Sequence, residues 1–218
     1  MNHAAVEPRR FPGLRSILMS ACLVMGLASC EDGGTGGGGN DSARVVFVGA
    51  SITDGWDFDH YFPGQSFAKV ILYDPDKTQA WGDVASRHPA IVVVKECAAY
   101  FYAEGGTPLA DYRGIVAQMV SLIRGIGGTP VLATTIPVDV GSGDCTQAQL
   151  DDIHAFNDWI RTYCDSEGIV CMDLAAAISD SNGQLPAACH DGDGLHPNQA
   201  GYDLLSPVVL PALQRAGL

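Results

Sequence analysis

Residues 45–57 read VVFVGASITDGWD. A continuous apolar run enters Gly49, Ala50 and Ser51, and there the run stops. Short runs of Val and Phe bounded by glycine are the pattern of a strand buried on both faces. A serine at the end of such a strand has two readings. Its hydroxyl caps a turn by satisfying backbone donors, or it is a nucleophile held at the open edge of a sheet.

This run, Arg44–Val48, is the first of a series, and outward from it apolar runs recur at Lys69–Tyr73, Ala90–Val94, Pro130–Thr134 and Ile169–Asp173. They are rich in Val and Ile and bounded by Gly, Pro or Asp, which predicts strands. Between them Thr78–Arg87, Leu109–Arg124 and Thr146–Glu167 predict helices, the last opened by a capping box at Thr146–Gln149. A final helix is expected over Asn198–Leu205, with Pro207 and Pro211 breaking or kinking the chain beyond it. Strands alternating with helices, and strands apolar throughout, predict an α/β fold with a parallel sheet of about five strands covered on both faces. In such sheets the chemistry gathers in loops at the carboxyl ends of strands. Ser51 lies at one such end, as do Asp74–Thr78, Lys95–Tyr100 and Thr135–Val140.

The first 29 residues stand apart. Arg9, Arg10 and Arg15 precede an apolar run from Ile17 to Leu27, whose 11 residues are too short to span a bilayer. The run ends in Leu27-Ala28-Ser29-Cys30, so residues 1–29 are expected to be a removed secretory signal. The ending resembles a bacterial lipoprotein signal, which implies cleavage before Cys30 and lipidation of its thiol. Residues 31–43, EDGGTGGGGNDSA, are too poor in apolar side chains to fold and predict a flexible tether. Residues 30–43 are then the lipidated cysteine and its tether, and residues 44–218 form one domain. The expected location is outside the cytoplasm, anchored to a bacterial membrane by lipid.

Without residues 1–29 the chain keeps nine basic residues against 24 acidic ones, a net charge of −15. That argues against nucleic acid as a partner and against polyanionic substrates. It leaves the lipid as the only expected membrane contact. Five cysteines remain in the domain, an odd number, so at least one thiol is left over even where disulfides form. Cys145 and Cys189 share a Gly/Asp-rich setting and are the first candidates for a pair. No two cysteines have zinc-ribbon or redox spacing, and neither metal nor cofactor is implied.

At the far end, residues 191–202 read DGDGLHPNQAGY. Asp193 and His196 stand three apart in a turn before a helix. That spacing lets the carboxylate accept from one imidazole nitrogen and fix the tautomer, leaving the other nitrogen to take a proton. A serine hydroxyl needs such a base.

Together, Val45–Asp54 and Asp193-Gly-Leu-His196-Pro-Asn resemble the SGNH or GDSL hydrolase family. The order of strands and helices between them agrees, so the resemblance covers the whole domain. It implies a flavodoxin-like three-layer α/β/α sandwich, with Ser51 as nucleophile, His196 as general base and Asp193 as its orienting acid. The family cleaves esters of sugars, lipids, thiols and small acyl compounds. Small-molecule or glycan esters are therefore the expected substrates, with transfer to an acceptor other than water as a lesser option.

Three features depart from the family pattern. Ala50 replaces the usual Asp before the nucleophile. The Gly and Asn that complete the family's oxyanion hole after the second and third strands are missing. Cys97 stands near the place of the Asn. One oxyanion donor is commonly worth ~10²–10³ in rate, so replacements are required. The candidates are the Ser51 amide, Lys77 and Lys95, and the backbone amides of Asp76–Thr78 or of Cys97–Ala99. For each lysine the plain alternative is a surface charge or an ion pair with Glu96 or an Asp. For Cys97 it is a packed thiol.

Other readings compete. Asp74-x-Asp76-x-Thr78 resembles the nucleophile motif of haloacid-dehalogenase-type phosphatases, with Thr134 or Thr135 as a second motif. No lysine follows Lys95 to neutralise phosphate, and Asp76 serves equally as a helix cap. A calcium loop at Asp191–Asp193 would need a third oxygen where Leu195 stands. The last rival is a non-catalytic lipoprotein of the same fold that binds a glycan or a protein. Trp56, Tyr100, Phe101 and Tyr102 are candidates to line the cleft or to fill the core.

Overall fold

The computed structural model describes residues 44–101 and 109–218. The signal, Cys30, the tether and Tyr102 lie outside these described residues. Strand β1 (Val45–Gly49) runs into helix α1 (Ser51–Gly55), followed by α2 (Phe58–Tyr61), β2 (Phe67–Ile71) and α3 (Trp81–Ser86). Then come β3 (Ile91–Lys95), α4 (Leu109–Gly125), β4 (Thr129–Ala133), α5 (Gln147–Glu167), β5 (Val170–Met172) and α6 (Leu174–Ile178). The chain ends with α7 (Gln199–Leu205) and α8 (Val209–Arg215).

The strands form one parallel sheet in the order β2-β1-β3-β4-β5. Side chains alternate across it, as the strand period of two requires. Val46, Val48, Val92, Val94 and Leu132 pack on one face with Val84 of α3, Met119 and Ile123 of α4, and Ile153 and Phe156 of α5. Val45, Phe47, Ile91, Val93 and Val131 pack on the other with Ile52, Phe58, Ile178, Leu205 and Leu213. Each such side chain, fully buried, contributes about 1.5–3 kcal/mol. Burial on both faces explains why the strands read as unbroken apolar runs. The result is the expected three-layer α/β/α sandwich.

The chain passes from β1 to β2 on one side and then crosses to β3 on the other. The carboxyl end of β1 is therefore the switch point of the sheet, where a crevice forms. Ser51 sits there.

Several boundaries differ from expectation for local reasons. Strand β2 starts and ends two residues early, because its pairing closes at Gly49 with Ile71 and the Leu72 amide donates to the Gly49 carbonyl. The chain then leaves the sheet, and Tyr73 is 64% exposed. The helix expected from Thr78 opens as a 3₁₀ turn, Lys77–Ala80. Strand β5 stops at Met172 because the Asp173 side chain caps α6, accepting from the Ala176 amide. The capping box at α5 is half formed. The Thr146 side chain accepts from the Gln149 amide at 3.2 Å, but the Gln149 side chain turns inward and donates to the Ala98 carbonyl at 2.9 Å. It ties α5 to the loop after β3 instead. Pro207 falls in a 3₁₀ turn, Ser206–Val208, and Pro211 in the first turn of α8, where a missing amide costs nothing.

Candidate active site

The turn from β1 into α1 is tight. A Cβ on Gly49 would lie 2.1 Å from Thr53 Oγ1, so only glycine fits there. The Asp54 amide donates to the Ala50 carbonyl at 2.9 Å, and Ser51 becomes the first residue of α1. Helix α1 is held from outside its own turn. Lys69 Nζ donates to the carbonyls of Asp54 and Trp56, and Tyr202 Oη donates to the Ile52 carbonyl at 2.9 Å. Lys69 thus satisfies carbonyls that the short helix leaves open.

The distant loop closes on this serine. His196 Nε2 lies 2.9 Å from Ser51 Oγ, and His196 Nδ1 lies 2.5 Å from Asp193 Oδ2. Asp193 Oδ1 accepts from the amides of Leu195 and His196, both at 2.9 Å. Burial raises the Asp193 carboxyl, but the hydrogen bonds from His196 and these amides outweigh it and hold the group at about 2. An ionised Asp193 accepts the Nδ1 proton, so Nε2 is left to accept from the Ser51 hydroxyl. The geometry is that of a nucleophile, a base and an orienting acid, 145 residues apart in the chain between Ser51 and His196. Both oxygens of Asp193 are engaged inside the loop, and among the described residues no group of three His, Cys, Asp or Glu side chains gathers to hold a metal ion. Asn198 caps α7 through the Gly201 amide and also donates to the Ala188 and His190 carbonyls, fixing where the loop joins the helix.

The oxyanion candidates divide. The Ser51 amide and the Cys97–Ala99 segment lie at the carboxyl ends of neighbouring strands, where Val48 pairs with Val94 three residues earlier. Lys77 is not a surface charge. It is fully buried, and its ammonium donates to the carbonyls of Leu72 and Asp74 at 2.7 and 2.6 Å, 5.0 Å over the Tyr100 ring. Its hydrogen bonds serve its own loop. Lys95 is also buried and donates to the Glu96 carbonyl at 3.1 Å. Burial lowers both lysines, Lys95 to about 8, and pushes the Glu96 carboxyl up to about 7 against the pull of the two ammonium groups. Among the described residues the Glu96 oxygens accept no hydrogen bond, so the expected ion pair is a longer-range contact. Neither lysine bonds to Ser51, His196 or Asp193.

For the other candidates the structure decides between the open alternatives. Trp56 is core: its indole donates to Ser206 Oγ at 2.9 Å among Phe58, Phe62 and Tyr202. Phe101 is core as well, stacked on Tyr112 at 4.6 Å. Tyr100 is half-buried over Lys77. The Asp74 and Asp76 carboxylates accept from neighbouring amides and from Thr78 and Gln79, as caps rather than as a phosphatase pair. Cys145 and Cys189 are free thiols packed on opposite faces of the sheet, and Cys145 Sγ donates toward the Asp193 and Gly194 carbonyls. One feature escapes the sequence reading, a second carboxylate–histidine contact between Asp139 and His190 at 3.0 Å. Its only signal is a histidine six residues before His196 in the same loop.

The sequence profile of the GDSL-like lipase/acylhydrolase family matches residues 47–204. No curated protein matches the chain. Solved structures do. A candidate acylhydrolase from Bacteroides fragilis is 25% identical with a TM-score of 0.68, over 79% of this chain and 87% of that one. A GDSL-like lipase from Bacteroides thetaiotaomicron is 22% identical with a TM-score of 0.67, over 81% and 90%. A variant of an acetyl-xylooligosaccharide esterase from Geobacillus stearothermophilus shares the fold at 18% identity and a TM-score of 0.62, over 78% and 93%. With the profile spanning most of the domain and the fold shared throughout, the chain belongs to the GDSL-like lipase/acylhydrolase family, as a carboxylic ester hydrolase of the SGNH type.

Proposed function

We propose that this hydrolase works through an acyl-enzyme on Ser51 and acts on small-molecule or glycan esters outside the cytoplasm, tethered by a lipid on Cys30. The observation that carries the mechanism is the 2.9 Å contact between Ser51 Oγ and His196 Nε2. In the first half-reaction the Ser51 oxygen attacks the ester carbonyl while Nε2 takes the hydroxyl proton. The imidazolium gives that proton to the departing alkoxide, and the acyl group stays on Ser51. Water then attacks the acyl-enzyme, losing a proton to Nε2; the bond from the acyl carbon to Ser51 Oγ breaks, the imidazolium returns that proton to Oγ, and the carboxylic acid leaves. Asp193 holds the ring and stabilises its charged form in both halves. The Ser51 amide is the first oxyanion donor, and a donor from the Cys97–Ala99 turn completes the hole.

The half-exposed side chains of Asp193 and His196 support an ester presented on a larger or polar molecule. The Geobacillus neighbour, described as an acetyl-xylooligosaccharide esterase, gives the same substrate class some support. The assembled hydrogen bonds favour catalysis over the binding-protein alternative, which has no physical need for a matched base and acid.

Turnover of p-nitrophenyl acetate tests this. Ser51→Ala should lower kcat by roughly three orders of magnitude or more while leaving the melting temperature nearly unchanged. Wild-type turnover in the alanine variant would overturn the assignment.

A further inference from the structure

The loop that carries Asp193 and His196 is pinned on its C-terminal side by Asp193 and Asn198, which leaves the turn before Asp193 to be held by other groups. It turns through Gly192 and Gly194, with φ of +95° and +74°. A Cβ on Gly194 would meet the Asp139 carbonyl at 2.8 Å, so the segment around Asp139 packs directly on this loop. Between the two lies His190, whose side chain is 3% exposed.

The ring of His190 is used at both ends. Nδ1 accepts from the Gly192 amide at 3.0 Å and from the Gly194 amide at 3.1 Å. These are the two amides that bracket Asp193. A nitrogen that accepts two N–H groups carries no proton, so the ring proton is on Nε2 and is donated to Asp139 Oδ2 at 3.0 Å. The same oxygen accepts from Ser142 Oγ at 2.6 Å, and the Asp139 amide donates to the Gly194 carbonyl at 2.9 Å. The backbone on both sides of Asp193 is therefore gripped, and the grip depends on the tautomer that Asp139 selects.

We infer that Asp139 and His190 are positioning residues for the reaction: they fix the backbone of Asp193, which in turn fixes His196 against Ser51. The inference rests on the reading of Ser51 as nucleophile. Neither residue hydrogen-bonds to the side chains of Ser51, Asp193 or His196, and no proton of the reaction passes through them. Their effect is on geometry, where a displacement near 1 Å costs about 10² in rate.

The test compares His190→Phe, His190→Asn and Asp139→Ala with wild type and Ser51→Ala. Phe keeps the ring and loses both polar ends. Asn keeps an acceptor near the place of Nδ1. Asp139→Ala removes the remote end at a partly exposed position and leaves the loop sequence intact. With p-nitrophenyl acetate, His190→Phe should lower kcat by about 10² with KM changed less than about twofold, and Asn should recover about tenfold of that loss. Asp139→Ala should lower kcat by about tenfold, again at constant KM. The low-field proton NMR signal of His196 Nδ1–H reports the Asp193–His196 contact without any turnover. It should weaken in His190→Phe and Asp139→Ala and return in His190→Asn.

An unchanged low-field signal with kcat within about twofold of wild type in both His190→Phe and Asp139→Ala would overturn the inference. So would a loss that Asn does not restore, which would make His190 a packing residue only. If Ser51→Ala turned over like wild type, the nucleophile reading would fall, and the His196 signal would still decide the positioning role.

Discussion

In the proposed mechanism the chemistry at Ser51 depends on which nitrogen of His196 holds a proton, and that depends on Asp193 staying ionised. Its carboxyl is held at about 2, below the ~3.9 of an unfolded aspartate. Between these values the unfolded chain binds more protons than the folded one, so stability rises with pH. The contribution is whole above about pH 4 and is lost as the pH falls toward 2. Thermal melts across this range should show wild type losing more stability than Asp193→Asn, which has no carboxyl to protonate there. Parallel losses would contradict the held carboxylate. The contacts joining Ser51, His196 and Asp193 were legible in the sequence because a strand-end serine and a turn-borne Asp–His pair are placed by local spacing. Lys77, Lys95, Trp56 and Phe101 were not. Their spacing places them near strand ends, but whether a side chain points into the crevice or under it depends on packing from elements far away in sequence.

Among the elements, the loop from β2 into α3 shows how a buried charge is accommodated. Lys77 has lost its water and gained two carbonyls of its own loop. Hydrogen bonds to a charged group are worth about 1.5–3 kcal/mol each, so Lys77→Ala should destabilise the protein by at least about 3 kcal/mol. Urea denaturation measures this, and a loss under about 1 kcal/mol would show that the two bonds contribute little. The same loop shows why strand β2 ends two residues before its apolar run does. Apolar content alone runs on to Tyr73, whereas the pairing with Gly49 ends the strand at Ile71. Gln149 is a similar case. Its position fits a capping box, but its amide goes to the buried Ala98 carbonyl, whose second lone pair it fills beside the Phe101 amide.

Across the whole molecule, the βα alternation and the unbroken apolar strands determine a doubly wound sheet, and its switch point at β1 determines where the site forms. That much was legible, since both depend on the order of elements and not on their details. Substrate choice was not, because it depends on loop surfaces that share no periodic pattern. The tether belongs to this scale too. If Cys30 carries the lipid, Cys30→Ser should shift the protein from the membrane fraction to the soluble fraction of a bacterial host without changing its turnover of p-nitrophenyl acetate. Continued tight association with membranes would contradict the lipid anchor.

The central claim is that His196 activates Ser51, and the most direct measurement is the site of covalent capture. The purified protein is reacted with a fluorophosphonate, digested, and the adduct located by mass spectrometry beside a His196→Ala variant. The predicted result is an adduct on the peptide carrying Ser51, formed at least about 10² more slowly in the variant. An adduct on another residue, or a folded wild-type protein that takes up no label, would contradict the account.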